Sequence, residues 1–182
     1  MNRVILTPAT LPGSALAELK QWLGLTTDAD DDPLSALLDT SLEACEGFTG
    51  RMPIECGCEE VLPALPGWHE LATRPVLAIT QVEGIDRDGE RFAIDADTYA
   101  IDLEADGTGR VQLPSFADDA RVAVRFTAGL AEEWDALPPS LRHGVIRLAA
   151  HQHRQRESDG AAPLPPASVA DLWRPWRRMR LA

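Results

Sequence analysis

Three aspartates stand at alternate positions, Asp28, Asp30 and Asp32, which is how an EF-hand calcium loop begins. The sixth position of such a loop needs glycine for a sharp turn, and here it is Pro33. The twelfth position, which usually supplies a bidentate glutamate, is Asp39. We therefore interpret the run as acidic residues that precede a helix, where they favour the positive end of its dipole.

Thiols and imidazoles are the other candidate metal ligands. Cys56 and Cys58 are separated by one residue, whereas structural zinc sites space cysteines by two to four residues and use four ligands. His143 and His151 share a helical face, but eight residues of helix separate them by about 12 Å. We expect neither a metal nor a cofactor. The three cysteines, Cys45 included, are an odd number, which indicates a reducing compartment rather than a disulfide framework.

Motifs of catalysis are also missing from the sequence. It has no glycine-rich phosphate loop and no Gly-x-Ser-x-Gly elbow. We do not expect an enzyme, although a metal-dependent hydrolase built from scattered aspartates stays open. Activity on phosphoesters with added magnesium would support that alternative.

The last fifteen residues, Ser168 to Ala182, combine two tryptophans with four arginines. A tryptophan that docks buries roughly 150–250 Å², so this segment is suited to insertion into a partner. Interleaved aromatic and basic residues are also typical of single-strand nucleic-acid binders, and a small nucleic-acid-binding protein is the alternative function. Pro175 interrupts the amphipathic helix that a membrane-surface segment would need. The segment could also fold back on the chain's own core.

Charge is unevenly distributed along the 182 residues. Residues 1–140 contain 26 acidic and 9 basic side chains, and residues 141–182 contain 3 and 8. The net charge of −12 repels phosphates at long range, which weakens the nucleic-acid alternative. No stretch approaches 18 apolar residues and the N-terminus has no signal peptide, so we expect no membrane partner.

Helical periodicity appears in three places. Ser14 is predicted to cap a first helix that ends at Gly24, and Asp32-Pro33 is predicted to open a second that ends at Gly50. A third helix is predicted from Pro138-Pro139-Ser140 to about Glu157. Apolar residues three and four apart give each helix one buried face.

Between about 57 and 128 the pattern changes to short apolar runs. Asp88-Gly89 and Asp106-Gly107 each separate two such runs, which predicts two β-hairpins. Val122, Val124 and Phe126 alternate with Ala123 and Arg125, which predicts a half-buried strand.

The sequence thus predicts an α+β fold: a helical body of three main helices, a small antiparallel β-rich insertion and an extended C-terminal tail. We expect one domain over residues 1–157 with the insertion at about 57–128. A proline-rich linker at 158–167 then leads to a basic and aromatic docking tail at 168–182.

Several short motifs follow one another along this plan: Asp30-Asp-Asp-Pro-Leu34, Phe48-Thr-Gly-Arg51, Val124-Arg-Phe-Thr-Ala-Gly129, Leu137-Pro-Pro-Ser-Leu-Arg142, Ala150-His151 through Arg156-Glu157, and Leu172-Trp-Arg-Pro-Trp-Arg177. In order and spacing the chain resembles the head-tail connector, or adaptor, proteins of long-tailed phages and gene transfer agents. The resemblance runs from about residue 14 to the end.

The resemblance implies a structural role in the neck of a virion or phage-like particle assembled in the bacterial cytoplasm. Copies would form a ring, a dodecamer on the portal protein, that meets stopper or tail-completion proteins and leaves a channel through which DNA passes without specific binding. The residues expected to contact the portal are Leu172, Trp173, Arg174, Pro175, Trp176, Arg177, Arg178 and Arg180.

Acidic residues suit such a channel, because like charge keeps the phosphate backbone from sticking. The candidates for facing the DNA are Asp28, Asp30, Asp31 and Asp32. Weaker candidates for the downstream partner are the hairpin tips near Arg87–Arg91 and Asp106–Gly109.

Overall fold

A computed structural model describes residues 3–114, 121–155 and 165–177. The α+β class is confirmed, with four α-helices and two antiparallel sheets in these residues. The chain forms two compact units. We call Met1–Ala9 with Glu55–Leu130 the β unit, and Thr10–Ile54 with Ala131–Ala182 the helical unit.

The helical unit contains all four α-helices of the described residues. They are α1 (Gly13–Leu23), α2 (Asp31–Thr49), α3 (Pro139–Gln155) and α4 (Ala167–Trp173). α1 and α2 end, as predicted, at Gly24 and Gly50, whose φ angles of 73° and 69° lie in the left-handed region that glycine adopts freely.

The predicted N-caps are wrong. The N-cap of α1 is Pro12, and the Ser14 hydroxyl instead donates to Asp135 Oδ2 at 3.2 Å. The N-cap of α2 is Asp30, so Asp32 lies inside the first turn. Neither observed cap residue makes a side-chain hydrogen bond to the helix, and each predicted cap lies two residues too late in the sequence.

Apolar stripes on the helices build the core of this unit. The predicted stripes on α2 and α3 are largely buried, and α1 adds Leu19. The fully enclosed side chains include Leu19, Leu34, Leu38, Leu141, Val145 and Leu148.

The β unit contains two sheets. Strand order is β1-β2-β8-β4-β5 in the larger sheet and β3-β7-β6 in the smaller one. The strands are β1 (Arg3–Thr7), β2 (Cys56–Pro63), β3 (Gly67–Glu70), β4 (Val76–Ile85), β5 (Arg91–Ala93), β6 (Ala100–Leu103), β7 (Gly109–Leu113) and β8 (Arg121–Ala128). Both predicted hairpins form, because Asp88-Gly89 joins β4 to β5 and Asp106-Gly107 joins β6 to β7.

Two strands differ from the predictions. β1 was missed, because three apolar residues before a proline carry too little periodicity to identify a strand. β8 was predicted to be half-buried, but Ala123 is buried as well as Val122 and Val124. The reason is position, since β8 is the central strand between β2 and β4.

Carboxylates inside the β unit are satisfied by hydrogen bonds. Glu59 on β2 accepts from Arg91 at 2.6 Å and from Arg125 at 2.9 Å. Neighbouring Glu60 accepts from the backbone N–H groups of Ala72 and Thr73, each at 2.8 Å. Both are buried with full partners, as stable folding requires.

Candidate partner-docking site

The C-terminal segment predicted as an extended docking tail is helical where the structure describes it. α4 (Ala167–Trp173) is followed by a 3₁₀ turn over Arg174–Trp176. Of the linker predicted at 158–167, residues 158–164 lie outside the described residues. Arg178 and Arg180, predicted to contact the portal, also lie outside them.

Trp173 is fully buried in the helical unit. Its indole N–H donates to the Leu141 carbonyl oxygen of α3 at 3.3 Å, and its ring centroid lies 5.9 Å from that of Phe48 on α2. A Cβ at Gly144 would overlap the indole ring, with Cδ1 at only 2.8 Å. The missing side chain at Gly144 therefore makes the space that the tryptophan fills.

The residues after α4 continue the contact with the helical unit. The Trp176 indole N–H donates to Ser140 Oγ at 2.9 Å, and the Arg177 guanidinium lies 5.5 Å from the centre of the Phe48 ring. That distance is within the range of a cation–π interaction. The sequence did not identify Phe48, Ser140 or Gly144 as residues that contact the C-terminal segment, although a glycine in the middle of a helix is a signal of close packing.

A basic surface lies beside this packing and is exposed, although Arg177 also contacts the Phe48 ring. Arg174, Pro175 and Arg177 are exposed, while Leu172 and Trp176 are half-buried. Arg174 pairs with Asp171 at 3.0 Å, but both side chains are more than 60% exposed, so the ion pair is weak. Arg174 can therefore leave Asp171 and bind a partner's carboxylate instead. We call Arg174, Pro175 and Arg177 the basic face.

The packing limits what Trp173 can do from this position. A base can stack only on an exposed ring, and the Trp173 ring has no exposed surface. Insertion of Trp173 into any partner would likewise require α4 to leave α3. Contact through the basic face needs no such movement.

The aspartates predicted to face DNA surround the start of α2. Lys20 bridges Asp28 and Asp31, with Nζ 2.7 Å from a carboxylate oxygen of each. These hydrogen bonds raise the pKa of Lys20, and the bond from Lys20 lowers the pKa of Asp28. Asp28 and Asp32 are exposed and Asp30 and Asp31 half-buried, so one lysine offsets part of the negative charge.

The hairpin tips differ in exposure. Residues 87–91 are exposed, although Arg91 is committed to Glu59. At the other tip Thr108 and Gly109 are buried, and a Cβ at Gly109 would meet Val76 at 2.9 Å. The first tip is therefore the more accessible.

The thiols lie inside the protein. The Sγ atoms of Cys56 and Cys58 are 3.4 Å apart and both side chains are buried. Burial raises the pKa of Cys45 to about 12, so this thiol is protonated at neutral pH. Within residues 3–114, 121–155 and 165–177, no three His, Cys, Asp or Glu side chains are grouped to hold a metal ion. None of the helices described there is long and apolar enough to cross a membrane.

Comparison with solved structures gives matches over nearly the whole chain. One is a chain in the neck of an empty gene transfer agent (GTA) particle with C6 symmetry, with a TM-score of 0.80 and 28% identity over 98% of this chain and 97% of that one. This chain has the fold of a GTA neck protein.

A second match, in the virion of the native GTA particle, has a TM-score of 0.79 and 29% identity over 100% of this chain and 98% of that one. A third, in the neck of the native particle with C12 symmetry, has a TM-score of 0.76 and 29% identity over 98% and 97%. No protein-family model and no curated protein matches the chain.

Proposed function

We propose that this protein is a structural head-tail adaptor in the neck of a GTA or related phage-like particle. The observation that carries the proposal is the full-length likeness to GTA neck chains, which includes both the β unit and the helical unit. Its copies form a ring on the portal protein, link it to stopper or tail-completion proteins, and leave a channel for DNA. The role involves no chemical reaction and no cofactor.

Portal docking is assigned to the C-terminal segment. The basic face offers two guanidinium groups, which can form charge-assisted hydrogen bonds with carboxylates or carbonyl oxygens. The contact of one subunit with the portal is weak. In a ring, however, once one subunit has docked the others bind as parts of the same assembly, so the binding of the ring is much stronger than that of one subunit. Assembly in the bacterial cytoplasm is part of the proposal, and the odd number of cysteines agrees with it.

The test is co-sedimentation with DNA-filled heads that carry the portal. We expect the full chain to sediment with the heads and a chain truncated after Pro166 to stay in the supernatant. Because truncation also removes buried Trp173, the sharper variant is Arg174→Glu/Arg177→Glu, which keeps Trp173 and loses only the contact of Arg177 with the Phe48 ring. Circular dichroism and urea unfolding would check that this variant is folded. Its matched control is Arg154→Glu, an exposed arginine on α3.

Loss of sedimentation in the basic-face variant alone supports docking through this face. If that variant binds as well as the control, the portal contact lies elsewhere in the chain. If the unaltered chain fails to bind heads while circular dichroism shows it folded, the adaptor function is wrong.

A further inference from the structure

β1 forms one edge of the five-stranded sheet and exposes three consecutive apolar side chains. Val4 is 55% exposed, Ile5 45% and Leu6 48%. Natural edge strands are usually short, charged or interrupted by proline, because an open edge pairs with other chains. Between Arg3 and Pro8 this strand has no charge and no proline.

Ile5 also continues the buried apolar layer of the sheet. It pairs with Cys58 on β2, which in turn pairs with Phe126 on β8, and these two side chains are 0% and 2% exposed. Val4 lies opposite Glu59, on the other face of the sheet. Apolar side chains are thus uncovered on both faces of the edge strand.

The opposite edge of the same sheet is also exposed. All three residues of β5 (Arg91–Ala93) are exposed, and the Phe92 ring is 41% exposed. Every pairing from β1 to β5 is antiparallel and there are four of them, so β1 and β5 run in the same direction. If a rotation axis parallel to the strands relates neighbouring copies, β1 of one copy therefore meets β5 of the next as a parallel strand.

We propose that β1 of one copy pairs with β5 of the next copy, so that the larger sheet continues from subunit to subunit around a ring. The contact is heterologous, since two different surfaces meet, and a heterologous contact that closes produces a cyclic assembly. The inference rests on the proposed ring function. It agrees with the C6 and C12 symmetry of the solved necks.

A second copy is the partner that these observations favour. One chain supplies both edges, each edge carries exposed apolar side chains, and pairing would cover Val4, Ile5, Leu6 and Phe92 together. An isologous β1–β1 contact would instead stop at a dimer. Because β5 has three residues, one pairing forms few hydrogen bonds and gains strength only when the portal holds many copies together.

Disulfide cross-linking tests the pairing directly. Ala93→Cys would be combined in one chain with a cysteine at position 4, 5 or 6 in turn, because the register between copies is not fixed in advance. The three native cysteines are buried. Because Cys58 lies opposite position 5 on β2, it would be changed to alanine in every variant and control, so that it cannot pair with the new thiol. Each double variant would be mildly oxidised both free at high concentration and bound to portal-bearing heads, then run on a non-reducing gel.

We expect at least one double variant to give a ladder well beyond the dimer, and each single variant to remain monomeric. In the matched control, Ala93→Cys is combined with Leu65→Cys in place of the β1 cysteine. Leu65 is an apolar loop residue that is 61% exposed. A ladder in the control, dimers from a single β1 variant, or no ladder in either preparation would overturn the proposal.

The two proposals can fail separately. Head binding without any ladder leaves the adaptor function standing and rejects the β1–β5 contact. A ladder from free protein that never binds heads supports the contact and rejects the adaptor function.

Discussion

The contact between Gly144 and Trp173 leaves no room for a side chain on α3. In Gly144→Ala the new methyl group would overlap the indole ring, so we expect a loss of about 1–3 kcal/mol in the free energy of unfolding, in spite of the better helix propensity of alanine. Gly47→Ala is the matched control, because a methyl group added at Gly47 in α2 would have no atom within 4 Å apart from the adjoining backbone of its own helix. It should stabilise the protein by up to about 1 kcal/mol.

Urea unfolding followed by circular dichroism measures both changes, and tryptophan fluorescence reports the environment of the indoles. If Gly144→Ala proved as stable as Gly47→Ala with unchanged fluorescence, the close packing of α4 on α3 would be contradicted.

Glu59 provides a pH-dependent test in the β unit. The hydrogen bond from Arg91, aided by that from Arg125, holds the pKa of Glu59 below its ordinary value of 4.5, although burial acts in the opposite direction. A carboxyl group with a lowered pKa stabilises the folded state above the unfolded pKa and loses that contribution as the pH falls through the folded pKa. We therefore expect Glu59→Gln to be less stable at pH 7 and to lose less stability between pH 5 and pH 3.

Stability would be measured by urea unfolding at several pH values, with the exposed Glu90→Gln in the same unit as control. Parallel pH profiles for Glu59→Gln and the unaltered chain would show that the ion pairs with Arg91 and Arg125 contribute nothing.

At the scale of elements, the sequence predicts best where local chemistry determines the backbone. Gly24 and Gly50 end their helices as predicted, and both Asp-Gly turns form their hairpins. The tail was harder, because Trp173 is held by a glycine about thirty residues earlier in the chain and no local pattern records that contact. β1 escaped prediction for the same reason, since it is a strand only through its pairing with β2.

α4 should therefore contribute stability as well as docking. We expect Trp173→Ala to lower the free energy of unfolding by about 3–5 kcal/mol, because it leaves a large cavity between α4, α2 and α3. The control is Trp22→Ala. The Trp22 side chain is 46% exposed, and its ring meets the His143 ring edge-on with 5.1 Å between the ring centroids. Equal unfolding free energies for the two variants, measured by urea titration, would mean that α4 is not held in this position in solution.

For the whole molecule, charge is unevenly distributed along the sequence, and the acidic and basic regions have different proposed roles. The basic residues cluster late in the sequence, where docking is proposed, and the acidic residues dominate the rest. The acidic group at Asp28, Asp30, Asp31 and Asp32 is the part proposed to face DNA, and Lys20 reduces its field by pairing with two of the four.

If these aspartates keep DNA from adhering to the channel, changing all four to asparagine should slow DNA delivery by assembled particles without reducing ring assembly on heads. The change would also deprive Lys20 of its ionic partners and leave a free positive charge near the DNA, which acts in the same direction. The matched control removes four other exposed charges of the helical unit, at Asp39, Glu43, Glu132 and Glu133. Delivery would be measured as DNA transferred per assembled particle at two salt concentrations, since higher salt should restore the variant by screening. Unchanged delivery in the four-asparagine variant, or an equal loss in the control, would show that these aspartates do not line the channel.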